Sequence, residues 1–304
     1  MSKHFLSIAD LTKQEIEELL DLAIELKAKQ KKHQPHRLLE GQTLAMVFQK
    51  PSARTRISFE VGMFQLGGHA LYLAPADIGV GTREAVKDIG RVLSRYNDGI
   101  MARLFGHQDI IEMAEYATVP VINGLTDLLH PCQVMADVLT ILEHRKSLEN
   151  MKLAFIGDGN NLANSWLNFA SRYPMKLALA IPEGYDPDAG VMKRATDAAI
   201  SEIQIFRDPH QAVKDADVIY TDVWASMGQE SEAEQRKAAF KKFQVNDHLM
   251  KSARKDTYVM HCLPAHRGEE ITDSVIESVN SIVFDEAENR LHAQKAIMAK
   301  LMAR

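Results

Sequence analysis

Two cysteines among 304 residues, Cys132 and Cys262, are too few for a disulfide framework, and a reducing cytoplasm is the expected setting. No apolar run reaches the roughly 18 residues that a membrane helix needs. Met1-Ser2-Lys3-His4-Phe5 leads into no signal-peptide core. There is no excess of basic residues: the formal charge is −5, which gives no support to nucleic-acid binding or to an anionic membrane partner. Any anion site must therefore be built locally, from a few arginines and backbone N–H groups. No internal repeat is visible, and the 14 scattered methionines read as core filler.

What remains is an ordinary globular composition, 46% hydrophobic and 25% charged. The length suits two domains of about 150 residues. Ile16, Leu19, Leu20, Ala23 and Ile24 mark one face of a helix that starts after Thr12. Strands are then expected at Gln42–Phe48, His69–Leu73, Gly99–Arg103 and Val119–Asn123. Helices follow them at Ser52 onward, around Glu84–Arg95, near Asp109–Ala117 and from Pro131 to His144. After the polar break at Lys146–Asn150 the pattern restarts. Lys152–Ile156, Lys176–Ile181, Ile203–Phe206, Val218–Asp222, Tyr258–His261 and Ile282–Phe284 read as strands, and Asn289–Met302 as a last helix. The expectation is two doubly wound parallel-sheet α/β domains of similar design, residues 1–145 and 146–288, with ligands beyond the carboxyl ends of the strands.

The stretch Lys50-Pro51-Ser52-Ala53-Arg54-Thr55-Arg56 carries the most chemistry in the first half. Ser52 is a good N-cap, and Ile57, Phe59, Val61 and Phe64 supply an apolar helix face. A helix N-terminus offers unpaired N–H groups and partial positive charge to a phosphate. Ser52 and Thr55 add hydroxyls, and Arg54 a planar fork of donors. Arg56, two residues on, cannot reach the same spot and is assigned to a supporting salt bridge. Alone, this pattern reads first as a capped surface helix with two ordinary arginines.

Taken with later segments, Pro-Ser-Ala-Arg-Thr-Arg resembles the carbamoyl-phosphate loop of the aspartate/ornithine carbamoyltransferase family, usually S-T-R-T-R. His130-Pro131-Cys132-Gln133 and His261-Cys262-Leu263-Pro264 resemble the H-P-C-Q and H-C-L-P motifs of its ornithine branch, in the family's order. The resemblance implies that Ser52, Ala53, Arg54, Thr55, Arg103 and Arg290 bind carbamoyl phosphate. His130, Pro131, Cys132 and Gln133 join them, with Cys262 and Leu263. It implies that Asn161, Asp222, Ser226 and Met227 bind ornithine, and that Arg54, Arg103, His130, Asp222 and Cys262 are catalytic. It further implies a cis Leu263–Pro264 bond, a helix 289–304 packed back on the first domain, interdomain helices, a homotrimer, and no metal or organic cofactor. Donors aimed at a carbonyl would stabilise the oxyanion formed on amine attack.

Other readings compete at single motifs. Gly157-Asp158-Gly159-Asn160-Asn161 invites a nicotinamide-dependent dehydrogenase, but G-x-G-x-x-G/A fails at Leu162. His261, Cys262 and His266 are metal-ligand types without a fourth partner at recognisable spacing. A non-catalytic family member would show decay at Arg54, His130, Asp222 or Cys262, and none is decayed. Another amine acceptor, such as putrescine, stays open. The chain departs from the family at Ala53, usually threonine, and at Gly79, where many relatives carry glutamine.

Overall fold

The computed structural model describes residues 3–225 and 232–303. They form two compact units, Met1–Leu139 with Asn289–Arg304, and Thr140–Glu288. No helix among the described residues is long and apolar enough to cross a membrane.

In the first unit α1 (Lys13–Lys31) precedes β1 (Thr43–Phe48), α2 (Ala53–Gln65), β2 (His69–Leu73) and the short α3 (Pro75–Ile78). Then come α4 (Val86–Tyr96), β3 (Gly99–Arg103), α5 (His107–Tyr116), β4 (Val121–Leu125) and α6 (Pro131–Arg145). The four strands are parallel, in the order β2-β1-β3-β4. β3 and β4 are buried along their whole length, which is why they lack the polar–apolar alternation of a half-exposed strand. Val47, Ile100 and Val121 pack there against Ile89, Ile110 and Met113 of the covering helices. Each such side chain contributes roughly 1.5–3 kcal/mol on burial.

The second unit holds β5 (Lys152–Ile156), α7 (Asn161–Ala170), β6 (Lys176–Ala180), α8 (Ala189–Asp197), β7 (Glu202–Phe206) and the short α9 (Pro209–Ala212). β8 (Val218–Thr221), α10 (Ala233–Phe240), α11 (Asp247–Met250), β9 (Tyr258–His261) and α12 (Asp273–Ile276) follow, and the last helix, α13 (Val283–Met302), belongs to the first unit from Asn289 onward. Its five parallel strands run in the order β7-β6-β5-β8-β9. Strand order therefore reverses between β1 and β3 in one sheet and between β5 and β8 in the other. Ligands of such sheets collect at these switch points.

Two expectations are corrected. Ile282–Phe284 is no strand. Ile282 O accepts the N–H of Glu286, α13 starts at Val283, and Phe284 is exposed, so the apolar trio opens a helix. α10 carries the buried Arg236. In α2 the buried face is Thr55, Phe59, Gly62 and Met63; Ile57, Val61 and Phe64 point outward at 59%, 38% and 78% exposure. A Cβ at Gly62 would meet Met298 Cε at 3.0 Å and Lys295 Cγ at 3.2 Å, so this glycine sets the close approach of α13 to α2.

Candidate active site

At the β1–β3 switch point, three elements converge on one hydroxyl. Ser52 caps α2: its Oγ accepts the Thr55 N–H at 3.3 Å and donates to Thr55 Oγ1 at 3.1 Å. Thr55 Oγ1 also accepts from Arg103 at the end of β3 (3.4 Å) and from Arg290 of α13 (3.0 Å). Thr55 is fully buried, and the two arginines are only 6% and 4% exposed. Two guanidinium groups are thus held, largely out of water, beside a helix N-terminus. That is a strongly positive setting suited to a compact anion. Arg54 lies exposed on the same helix turn. Arg56 bonds Glu60 at 3.1 Å and stacks its guanidinium 4.0 Å from the Tyr72 ring, the supporting part assigned to it.

His130, at the start of α6, is buried in the same unit. Burial, then Arg290, then Arg103 hold its pKa well below the ordinary 6.5, so the imidazole is neutral at neutral pH. Gln133 is fully buried and donates from Nε2 to Asp137 Oδ1 (2.8 Å), which orients the amide. Cys132 turns the other way, and its thiol donates to the Asn123 carbonyl (3.3 Å). Burial pushes its pKa up to about 12, so it is an inert core group.

At the β5–β8 switch point, Asp222 gathers three donors. Asn160 Nδ2 donates to its Oδ2 at 2.8 Å; the Cys262 thiol and the Val223 N–H donate to Oδ1 at 3.0 and 2.8 Å. Asn160 also caps α7, its Oδ1 accepting from Leu162 and Ala163. Asn161, the expected ligand, is the first residue of that helix. Ser226 and Met227 lie outside the described residues. The Leu263–Pro264 bond is cis, as expected. Leu263 N–H donates to His261 Nδ1 (2.9 Å), so His261 donates from Nε2 to Glu270 (3.0 Å). Asp222, His261 and Cys262 place ligand atoms within 4.8 Å of one another, yet both His261 nitrogens are engaged and neither is open to a metal.

Asp158 and Arg236 form a pair that no motif in the sequence joins. Arg236 bonds Asp158 at 2.9 Å and donates to the Trp224 carbonyl at 3.0 Å. Burial outweighs this cation and lifts the Asp158 pKa to about 6. Asp158 stood in a quoted motif, but no periodicity ties it to a residue 78 positions away. Asn160 did carry a signal, an asparagine just before an apolar run.

The dinucleotide reading fails on geometry. Gly159 N–H donates to Tyr185 O, and a Cβ at Gly159 would stand 2.3 Å from Pro187 N. The loop is packed on its own chain where a pyrophosphate would need that N–H. At Gly79 the backbone has φ +55°, and a Cβ would come within 2.7 Å of Arg83 Cβ, which explains glycine in place of glutamine.

Comparison with known proteins agrees over the whole length. Residues 3–143 match the carbamoyl-phosphate-binding domain of aspartate/ornithine carbamoyltransferases, and residues 149–301 the aspartate/ornithine-binding domain. The chain belongs to the aspartate/ornithine carbamoyltransferase family. It is 58% identical to an ornithine carbamoyltransferase of Pelobacter propionicus over 302 residues, covering 99% of each chain. It is 54% identical to one of Pyrococcus furiosus described as anabolic, covering 99% and 96%. The structure of the Pyrococcus furiosus enzyme superposes with a TM-score of 0.94 over 98% of this chain and 96% of that one. Anabolic ornithine carbamoyltransferase from Campylobacter jejuni gives 0.93 at 40% identity, over 99% of each.

Proposed function

We propose that this family member transfers the carbamoyl group of carbamoyl phosphate to the δ-amine of L-ornithine, giving L-citrulline and phosphate. The observation that carries the reading is the pair of buried arginines, Arg103 and Arg290, on Thr55 at a helix N-terminus. The amine lone pair attacks the carbamoyl carbon, the bond from that carbon to the bridging phosphate oxygen breaks, and the amine loses a proton. Ser52, Arg54, Thr55, Arg103 and Arg290 hold the anion and stabilise the leaving phosphate. Neutral His130 keeps one N–H to donate to the carbonyl, and Gln133 Oε1 serves as acceptor for the carbamoyl amide. Pro131 starts the helix that carries them. Asn161, Asp222, Ser226 and Met227 orient ornithine, and Asp222 with Cys262 favours the unprotonated δ-amine. Ala53, Cys132 and Leu263 contribute backbone groups.

The chain works as a cytoplasmic homotrimer; two cysteines outside any disulfide support the reducing compartment, and the outward apolar stripe on α2 supports self-association. An assay for citrulline with both substrates tests the activity, and putrescine tests the acceptor. Putrescine lacks the α-carboxylate, so kcat/KM for ornithine is expected to exceed that for putrescine at least about a thousandfold. Equal rates would refute the ornithine reading. Arg54→Ala should cost about 3–4 kcal/mol in kcat/KM.

A further inference from the structure

Beyond the carboxyl end of β7 lies a cleft of about 480 Å³, in the size range of small-ligand sites. It opens on the edge strand of the second sheet, whereas Asp222 and Cys262 lie at the ends of β8 and β9, on the other side of β6 and β5. Arg207, Lys241, Lys242, His210 and His248 line it, against a single acid, Asp208. In a chain of net charge −5 that is a local reversal of sign. Asp208 is committed, its Oδ1 accepting the His210 N–H at 3.0 Å as the cap of α9. Arg207 is committed as well, to Asp186 at 2.8 Å and to the carbonyls of Ile181 and Pro182. Lys241 and Lys242 have no carboxylate partner among the described residues. The two imidazoles meet edge to face at 5.0 Å, and Ser252 Oγ bonds His210 Nδ1 at 2.7 Å, which fixes that ring. Pro209 and Leu249, both buried, give the cleft an apolar floor.

We propose that this cleft binds an organic phosphate, with Lys241, Lys242, His210 and His248 on the phosphoryl group and the organic body on Pro209 and Leu249. Lysines are compact donors that suit a phosphoryl dianion. A neutral sugar or an isolated phosphate would use only half of this lining.

The test uses the full-length Arg54→Ala protein, so that phosphate binding at the carbamoyl-phosphate site is weakened, and the ring resonances of His210 and His248 separate the two sites. Ribose 5-phosphate, inorganic phosphate and ribose are titrated separately, with calorimetry and the ring-proton resonances of His210 and His248 as readouts. Ribose 5-phosphate is expected to move both rings at millimolar concentration and to bind more tightly than inorganic phosphate, while ribose does neither. Adding Lys241→Ala and Lys242→Ala should weaken binding at least about tenfold, equal to about 1.4 kcal/mol. Both lysines are exposed, so the fold should tolerate their loss. Still rings with all three probes, binding equal to that of ribose, or affinity unchanged in the lysine variant would each overturn the site.

Discussion

Thr55 is a single hydroxyl that holds two buried cations. Replacing it by valine keeps the shape and removes the acceptor from Arg103 and Arg290. A hydrogen bond to a charged group is worth about 1.5–3 kcal/mol, so Thr55→Val should raise KM for carbamoyl phosphate by about one to two decades. Thr55→Ser should restore most of it; equal kinetics in both variants would remove Thr55 from the site. The two cysteines should also differ. Cys132 is buried with its pKa pushed to about 12, whereas Cys262 is half-buried beside Asp222. Iodoacetamide at mild alkaline pH should label Cys262 in the folded protein and spare Cys132 until unfolding. The chemistry of these residues was legible in the motifs. Which way each side chain turns was not, because Pro131-Cys132-Gln133 contains nothing that says Cys132 faces a strand carbonyl.

Between elements, α13 is pinned to α1 and α2 by Lys295. Its ammonium, fully buried, donates to Gln30 and Gln65 at 2.9 Å each and to His36 Nε2 at 3.2 Å. None of those partners is a carboxylate. Burial lowers the Lys295 pKa from 10.5 to about 8. Below pH 8 the folded and unfolded chains both hold the proton. From about pH 8 to about 10.5 the unfolded chain holds more, so this group makes stability rise with pH across that window. The Tm of the wild type minus that of Lys295→Met should climb there, and a flat difference would show that Lys295 does not titrate early. Arg236→Met should destabilise the second unit by about 3–5 kcal/mol at neutral pH, since it strands the buried Asp158. Urea unfolding of the variant checks this, and Asp158→Asn in the same chain should recover part of the loss.

At the scale of the whole molecule, the stripe Ile57, Val61 and Phe64 recurs at i, i+4 and i+7 and was read as a buried helix face. Spacing alone cannot say which apolar stripe meets the chain's own core and which is left for a partner. On the proposed homotrimer, Ile57→Glu with Phe64→Glu should lower the mass seen by light scattering to that of a monomer and reduce activity. An unchanged mass would take the stripe out of the assembly.

By itself, the order of residues determined the alternation of strands and helices, the caps at Thr12 and Ser52, and the motifs that name the family. Periodicity, capping and loop chemistry are local, and each is complete within a dozen residues. Tertiary structure decided what depends on contacts between distant positions. Arg290 meets Thr55 across 235 residues, Asp158 meets Arg236 across 78, and Gly159 is required by the backbone at Tyr185–Pro187. Such pairings arise because burying a charge or closing a turn needs a partner that only the folded chain brings near. No local pattern in the sequence encodes where that partner will be.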